Sequence, residues 1–209
     1  VHVAILLYPR FTALDAVGPY TVLSVAPGCT VTFVAAEAGP VVDDQGTLTL
    51  LATASYAGLP APDVIVVPGG PGTLEALSDE PLLEWIRRAH EHTRWTTSVC
   101  TGSLILGAAG LLTGLKATTH WAFLDALTGF GASPAAERVV TEGKIVTAAG
   151  VSAGIDMALT LLARARDVET AQLVQLAIEY DPRPPFDAGS PKTAPDGLAE
   201  RALTLLTGA

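Results

Sequence analysis

The run Trp95-Thr96-Thr97-Ser98-Val99-Cys100-Thr101-Gly102-Ser103-Leu104-Ile105-Leu106 changes character at its cysteine. The residues before Cys100 favour a strand; the small and apolar residues after it favour a helix. A side chain at such a strand-to-helix turn is pushed out above the sheet, where it can meet a substrate. Gly102 and Ser103 let the chain bend sharply there. This is the pattern of a nucleophile elbow, with sulfur in place of the serine of G-x-S-x-G. A helix over residues 103–112 would aim its free N–H groups at the sulfur and favour a thiolate. The chemistry such a group offers is nucleophilic attack through a covalent intermediate. A cysteine that merely packs satisfies the same pattern. Cys29, in Pro27-Gly28-Cys29-Thr30, has no helix start behind it and reads as structural.

Three further features could work with that sulfur. Asp15 sits near a helix start among Leu14, Ala16 and Val17. It is either a first-turn acid answering the helix dipole, or an acid projecting into a site where burial keeps it protonated. Pro68-Gly69-Gly70-Pro71-Gly72 follows an apolar run, and a glycine-rich turn there can face backbone N–H groups toward an anion or oxyanion. The turn lacks the order of a dinucleotide or phosphate loop. His120 ends the run 116–121 and is either a base for Cys100 or a hydrogen-bonded structural residue. No Cys/His spacing suggests a metal.

These residues need a scaffold, and the chain supplies alternating strand and helix signals. Apolar runs at 3–8 and 63–67 read as strands buried on both faces. Further strands are expected at 30–36, 95–99 and 116–121, with hairpin signals at Asp43-Asp44-Gln45-Gly46 and Glu142-Gly143-Lys144. Helices are expected over 13–25, interrupted at Gly18-Pro19 and with Thr12 as N-cap, and over 81–93 behind Asp79. Others follow Gly150 as far as Arg164, and Asp167 as far as Glu179. The helix after Gly150, with small Ala153 and Gly154, is expected to pack against the helix that follows Cys100. Five prolines between residues 180 and 195 mark an irregular arm, closed by a helix over 196–206.

With 209 residues, 49% of them hydrophobic, the chain suits one large α/β domain. A net charge of -9 argues against nucleic acid or an anionic membrane surface as partner. Two cysteines fit a reduced compartment, and residues 2–8 are too short an apolar run to span a bilayer. A cytoplasmic protein is expected.

Asp15, Gly69-Gly70-Pro71-Gly72, Val99-Cys100-Thr101-Gly102, Thr119-His120-Trp121 and Ala153-Gly154-Ile155-Asp156 together resemble the DJ-1/PfpI superfamily. Within it the chain looks most like the isonitrile hydratase group, including its C-terminal stretch Pro184-Pro185-Phe186-Asp187-Ala188-Gly189. The resemblance implies a flavodoxin-like three-layer sandwich over residues 1–209, with 181–209 as a C-terminal arm and short helix. It implies Cys100 as nucleophile, with Asp15 as its acid where the superfamily usually has Glu. Gly70 and Thr101 would offer backbone N–H groups near the sulfur, with Gly69, His120 and Ile155 in support. A homodimer without cofactor or metal is implied, acting on a small isonitrile. Water would be added through a Cys100 thioimidate, with Asp15 as general acid, to give an N-substituted formamide. Thr101 stands where the protease-like branch has His, and no helix-turn-helix module of the related regulators is expected. The alternatives are another cysteine activity (glyoxalase, deglycase or amidase) or a redox or ligand sensor without turnover.

Overall fold

The computed structural model describes residues 1–207. Strand β1 (His2–Leu6) leads into α1 (Ala13–Val25), followed by β2 (Thr30–Ala35), β3 (Gly39–Val42), β4 (Thr49–Ala52), β5 (Ala54–Ser55) and β6 (Val64–Val67). Next come α2 (Thr73–Ala76), α3 (Glu80–His92), β7 (Trp95–Val99) and α4 (Gly102–Ala108). Strand β8 (Lys116–Ala117), a 3-10 helix (Trp121–Phe130) and β9 (Ser133–Pro134) precede β10 (Val139–Glu142) and β11 (Ile145–Ala148). Helices α5 (Ala153–Ala165), α6 (Val168–Ala177) and α7 (Leu198–Thr207) follow.

The main sheet runs β10-β11-β7-β6-β1-β2-β5 and is parallel except for β10, which pairs antiparallel with β11 at one edge. From β1 the chain crosses to β2 on one side; from β6 it crosses to β7 on the other. The order therefore reverses between β1 and β6, and right-handed crossovers place the connecting helices on opposite faces. Helices α1, α5 and α6 pack together on one face; α2, α3, α4 and the 3-10 helix gather on the other. Burial on both faces is why β6 reads Val-Ile-Val-Val and the end of β1 is equally apolar.

Several elements differ from their sequence signals. Helix α1 is continuous through Gly18-Pro19. Both residues are buried, and the Pro19 ring lies against Gly154 of α5, where a Cβ would come within 3.2 Å of it. Helix α5 packs on α1 and α6 rather than on α4, because the sheet lies between it and α4. Thr12 occupies the N-cap position of α1, but its hydroxyl donates to Asp44 Oδ2 at 2.7 Å instead of serving the helix. The strand expected over 116–121 shortens to β8, and the residues after His120 form the 3-10 helix. Asp79 and Asp167 do cap their helices, accepting from Leu82 N–H at 3.2 Å and Thr170 N–H at 2.7 Å. The two hairpins form as β3/β4 and β10/β11.

The chain divides into two compact units, Val1–Ile178 and Glu179–Ala209. In the second, a turn is held by Ala194 N–H on the Ser190 carbonyl at 2.8 Å, an ion pair joins Arg183 to Asp181, and α7 is helical. Among the described residues, no helix is long and apolar enough to cross a membrane.

Candidate active site

Cys100 follows β7 directly and takes a left-handed backbone, φ 57°. A non-glycine residue holds that conformation only where its surroundings over-determine it. Here its N–H donates to the carbonyls of Ala148 and Ala149, each at 3.1 Å. Its own carbonyl accepts from Thr119 Oγ1 at 2.8 Å and Ser103 Oγ at 3.3 Å. Two glycines let neighbouring backbone close on this turn. A Cβ at Gly102 would strike the Val67 carbonyl, and one at Gly69 would lie 2.5 Å from Thr101 N. The elbow is thus packed into the carboxyl end of β6, beside the point where the strand order reverses, which is where ligands bind in open α/β sheets.

Asp15 lies in the first turn of α1 and is fully buried. Its Oδ2 accepts Gly69 N–H at 2.9 Å; its Oδ1 is buried without a partner of hydrogen-bonding geometry. The carboxyl group also interacts with the Cys100 thiol. Burial raises its pKa from 3.8 to about 7, against the opposing pull of Gly69 N–H and Cys100, with the Asp44 charge adding to the rise. Asp15 is thus a buried carboxyl group beside Cys100, with burial acting on its pKa as the second of the two sequence readings expects.

Burial pushes the Cys100 thiol up as well, and the Asp15 charge pushes it further; backbone N–H groups of Thr101 and Val151 pull it back. Burial thus opposes the thiolate suggested by the helix behind Cys100. Helix α4 is only seven residues long, and burial is the largest influence on the thiol. Both groups are thus pushed toward their protonated forms by burial, and each perturbs the other. The arrangement sets a buried thiol against a buried carboxyl group.

The other expected residues fall as follows. Thr101 is buried beside the sulfur and Gly69 beside Asp15. Gly70 N–H is directed to Thr101 Oγ1 at 3.0 Å, so it has an acceptor other than the sulfur. His120 caps the 3-10 helix through Nδ1, which accepts Ala122 N–H at 3.3 Å, and its ring lies against Gly150, where a Cβ would overlap it. Burial lowers its pKa, so it is neutral near pH 7. Ile155 packs toward Gly18 of α1. Cys29 is half-buried and lies apart from these contacts. Sequence reasoning missed Val151, Thr119, Thr73 and Tyr8. Val151 holds φ 30°, costly for a β-branched residue, and only a positive φ that no sequence displays could have marked it. Among the described residues, no three His, Cys, Asp or Glu side chains form a group that could hold a metal.

Comparison with known proteins shows the family and the fold. The model of the DJ-1/PfpI family matches residues 1–164. An isonitrile hydratase of Pseudomonas putida is 48% identical over 201 residues, 96% of this chain and 88% of that one. The crystal structure of a ThiJ/PfpI family protein from Pseudomonas syringae superposes with a TM-score of 0.94 at 44% identity, covering 99% of this chain and 86% of that one. A helix-turn-helix-type transcriptional regulator of Pseudomonas aeruginosa, CdhR, is 31% identical over 69% of this chain but only 43% of its own length. The match to the family model spans the sheet, the elbow at Cys100 and the acid at Asp15, and the chain belongs to the DJ-1/PfpI family.

Proposed function

We propose that this protein hydrates isonitriles to N-substituted formamides through Cys100 and Asp15. The observation that carries the reading is the buried carboxyl with a pKa of about 7 set against a buried thiol at a strained elbow. The 48% identity to an isonitrile hydratase supports it.

The reaction places a sulfur and a hydrogen on one carbon. Asp15 takes the thiol proton as sulfur attacks the isonitrile carbon, then gives that proton to the same carbon. The product is the thioimidate R–N=CH–S–Cys100, with Asp15 again a carboxylate. That carboxylate next draws a proton from water as the oxygen adds to the thioimidate carbon, and it passes that same proton to the nitrogen. The adduct R–NH–CH(OH)–S–Cys100 expels sulfur, leaving R–NH–CHO and the thiol. A carboxyl with a pKa near 7 suits this double duty because it gives and takes a proton with little bias. The N–H groups of Thr101 and Val151 stabilise charge on sulfur as it arrives and leaves. Cofactor, metal and nucleic acid have no part in these steps.

Mass spectrometry of the protein mixed with a simple alkyl isonitrile tests the reading. Formamide carrying oxygen from labelled water, and a transient adduct of one isonitrile on Cys100, are the expected results. A wild-type protein that yields neither refutes the proposal. Glyoxalase, deglycase or amidase turnover in its place would assign the same cysteine to a different reaction. Oxidation of Cys100 with no turnover under reducing conditions would assign it to sensing.

A further inference from the structure

The hydroxyl of Thr101 belongs to a chain whose direction is fixed. Thr101 Oγ1 accepts Gly70 N–H at 3.0 Å and lies 2.8 Å from Thr73 Oγ1. Thr73 Oγ1 lies 3.2 Å from Tyr8 Oη, and Tyr8 donates to the Pro68 carbonyl at 2.8 Å. All three side chains are buried. Each hydroxyl has one hydrogen, and a carbonyl can only accept. The Tyr8 hydrogen is committed to Pro68, so the Tyr8–Thr73 contact needs the hydrogen of Thr73. The Thr73–Thr101 contact then needs the hydrogen of Thr101. The arrangement that fills every contact runs from Thr101 to Thr73 to Tyr8 to the Pro68 carbonyl.

That chain joins the two segments that hold the reacting groups. Gly69, next to Pro68, gives its N–H to Asp15, and Thr101 gives its N–H to the sulfur. The hydroxyls tie one segment to the other and keep Thr101 Oγ1 an acceptor for Gly70. We propose that Tyr8 and Thr73, neither of which hydrogen-bonds Cys100 or Asp15, are positioning residues. They set the spacing between the peptide that holds the acid and the peptide that holds the nucleophile. The inference rests on the reading of Cys100 and Asp15 as the reacting pair. Cutting the chain at Thr73 turns the Thr101 hydroxyl toward the Gly70 carbonyl, which it already approaches at 3.5 Å. Cutting it at Tyr8 frees the Thr73 hydrogen to compete with Gly70 N–H for Thr101 Oγ1. Both cuts disturb the same acceptor, so the second adds little to the first.

The test compares Thr73→Val, Thr73→Ser, Tyr8→Phe and the double variant Tyr8→Phe/Thr73→Val with wild type. Four quantities are read: kcat and KM with an alkyl isonitrile, the rate of Cys100 alkylation by iodoacetamide against pH, and Tm. Each cut is expected to lower kcat about tenfold at unchanged KM, less than the roughly 10²–10³ that follows outright loss of a donor. The double variant should be no worse than the poorer single one, and Thr73→Ser should restore kcat. Alkylation at a given pH should slow in both cut variants, because a misaligned Thr101 N–H supports the thiolate less. Wild-type kcat and alkylation in the cut variants, whatever their Tm, would overturn the proposal; so would losses that multiply in the double variant without rescue by serine. Should Thr73→Val not fold, Tyr8→Phe decides by the same readouts. If wild type hydrates no isonitrile, slowed alkylation in the variants upholds the positioning role while the functional reading falls.

Discussion

Asp15→Asn separates the two consequences of burying an acid, one for stability and one for rate. The folded protein holds Asp15 at a pKa of about 7 against 3.8 for the free side chain, chiefly through desolvation. About three units at roughly 1.4 kcal/mol each amount to about 4 kcal/mol. The folded-state pKa is the raised one, so the contribution to stability is fully present below pH 3.8 and declines as pH rises. Between 3.8 and about 7 the unfolded chain releases a proton that the folded chain keeps, and above about 7 the decline is complete. Asparagine has no such titration, yet its side-chain oxygen can still accept Gly69 N–H.

The difference in unfolding free energy, wild type minus Asp15→Asn, should therefore fall by about 2.5 kcal/mol between about pH 5 and pH 8. Urea denaturation of both proteins at the two pH values measures it, since groups common to both cancel. The same substitution should reduce kcat by about 10² or more, because asparagine moves no proton. The wild-type kcat/KM should rise through about pH 7 as the pair loses its first proton, and the residual rate of the variant should lack that limb. Stability curves that stay parallel across this range would show that Asp15 titrates like a free carboxylate. A wild-type rate in the variant would remove it from the chemistry.

Cys100→Ala should keep Tm close to wild type and abolish formamide formation; residual turnover would sink the covalent mechanism. Gly154→Val forces side-chain atoms into a place where a bare Cβ already comes within 3.1 Å of Val99 Cγ2 and 3.2 Å of Pro19. It should shift α5 against the strand that ends at Cys100 and lower kcat by about 10², as a displacement of about 1 Å can; full specific activity at reduced Tm would make α5 plain scaffold. We also propose a homodimer, in keeping with the exposed Leu14, Tyr20 and Val25 along α1; light scattering that reports a monomer at micromolar concentration would refute it.

Legibility in the sequence followed how local each signal was. The apolar runs of β1 and β6 and the junction at Cys100 lie within a few residues of chain, and each appears in the structure near its expected place. Helix α1 was misread because Pro19 signals a break only when nothing compensates; here the ring is buried against Gly154, far along the chain. The mutual placement of α4 and α5 depends on which side of the sheet each crossover takes, which small residues in a helix do not reveal. The state of the sulfur was the least legible. A helix start argues for thiolate, but the burial and the Asp15 charge that argue for thiol come from parts of the fold that are not next to Cys100 in sequence.

The strain in the backbone points to the same place. Four non-glycine residues among those described take a positive φ; Glu179 (51°) follows α6, and the other three, Arg10 (63°), Cys100 (57°) and Val151 (30°), lie in the loops that leave β1, β7 and β11 at their carboxyl ends. Each such residue costs about 1–3 kcal/mol, and a fold keeps them only where other contacts leave no alternative. At Arg10 the carbonyl is held by Gly72 N–H at 3.1 Å, which draws the loop after β1 onto the glycine turn and brings Asp15 in behind it. At Cys100 four hydrogen bonds grip one peptide unit on either side. At Val151 the strained turn delivers an N–H to the sulfur. A relaxed backbone at any of the three would move Cys100, Asp15 or an N–H donor to the sulfur, so the strain and the desolvated carboxyl are two costs of one arrangement. Asp15→Asn removes the second cost, so the stability of that variant relative to wild type should be greater at about pH 8 than at about pH 5.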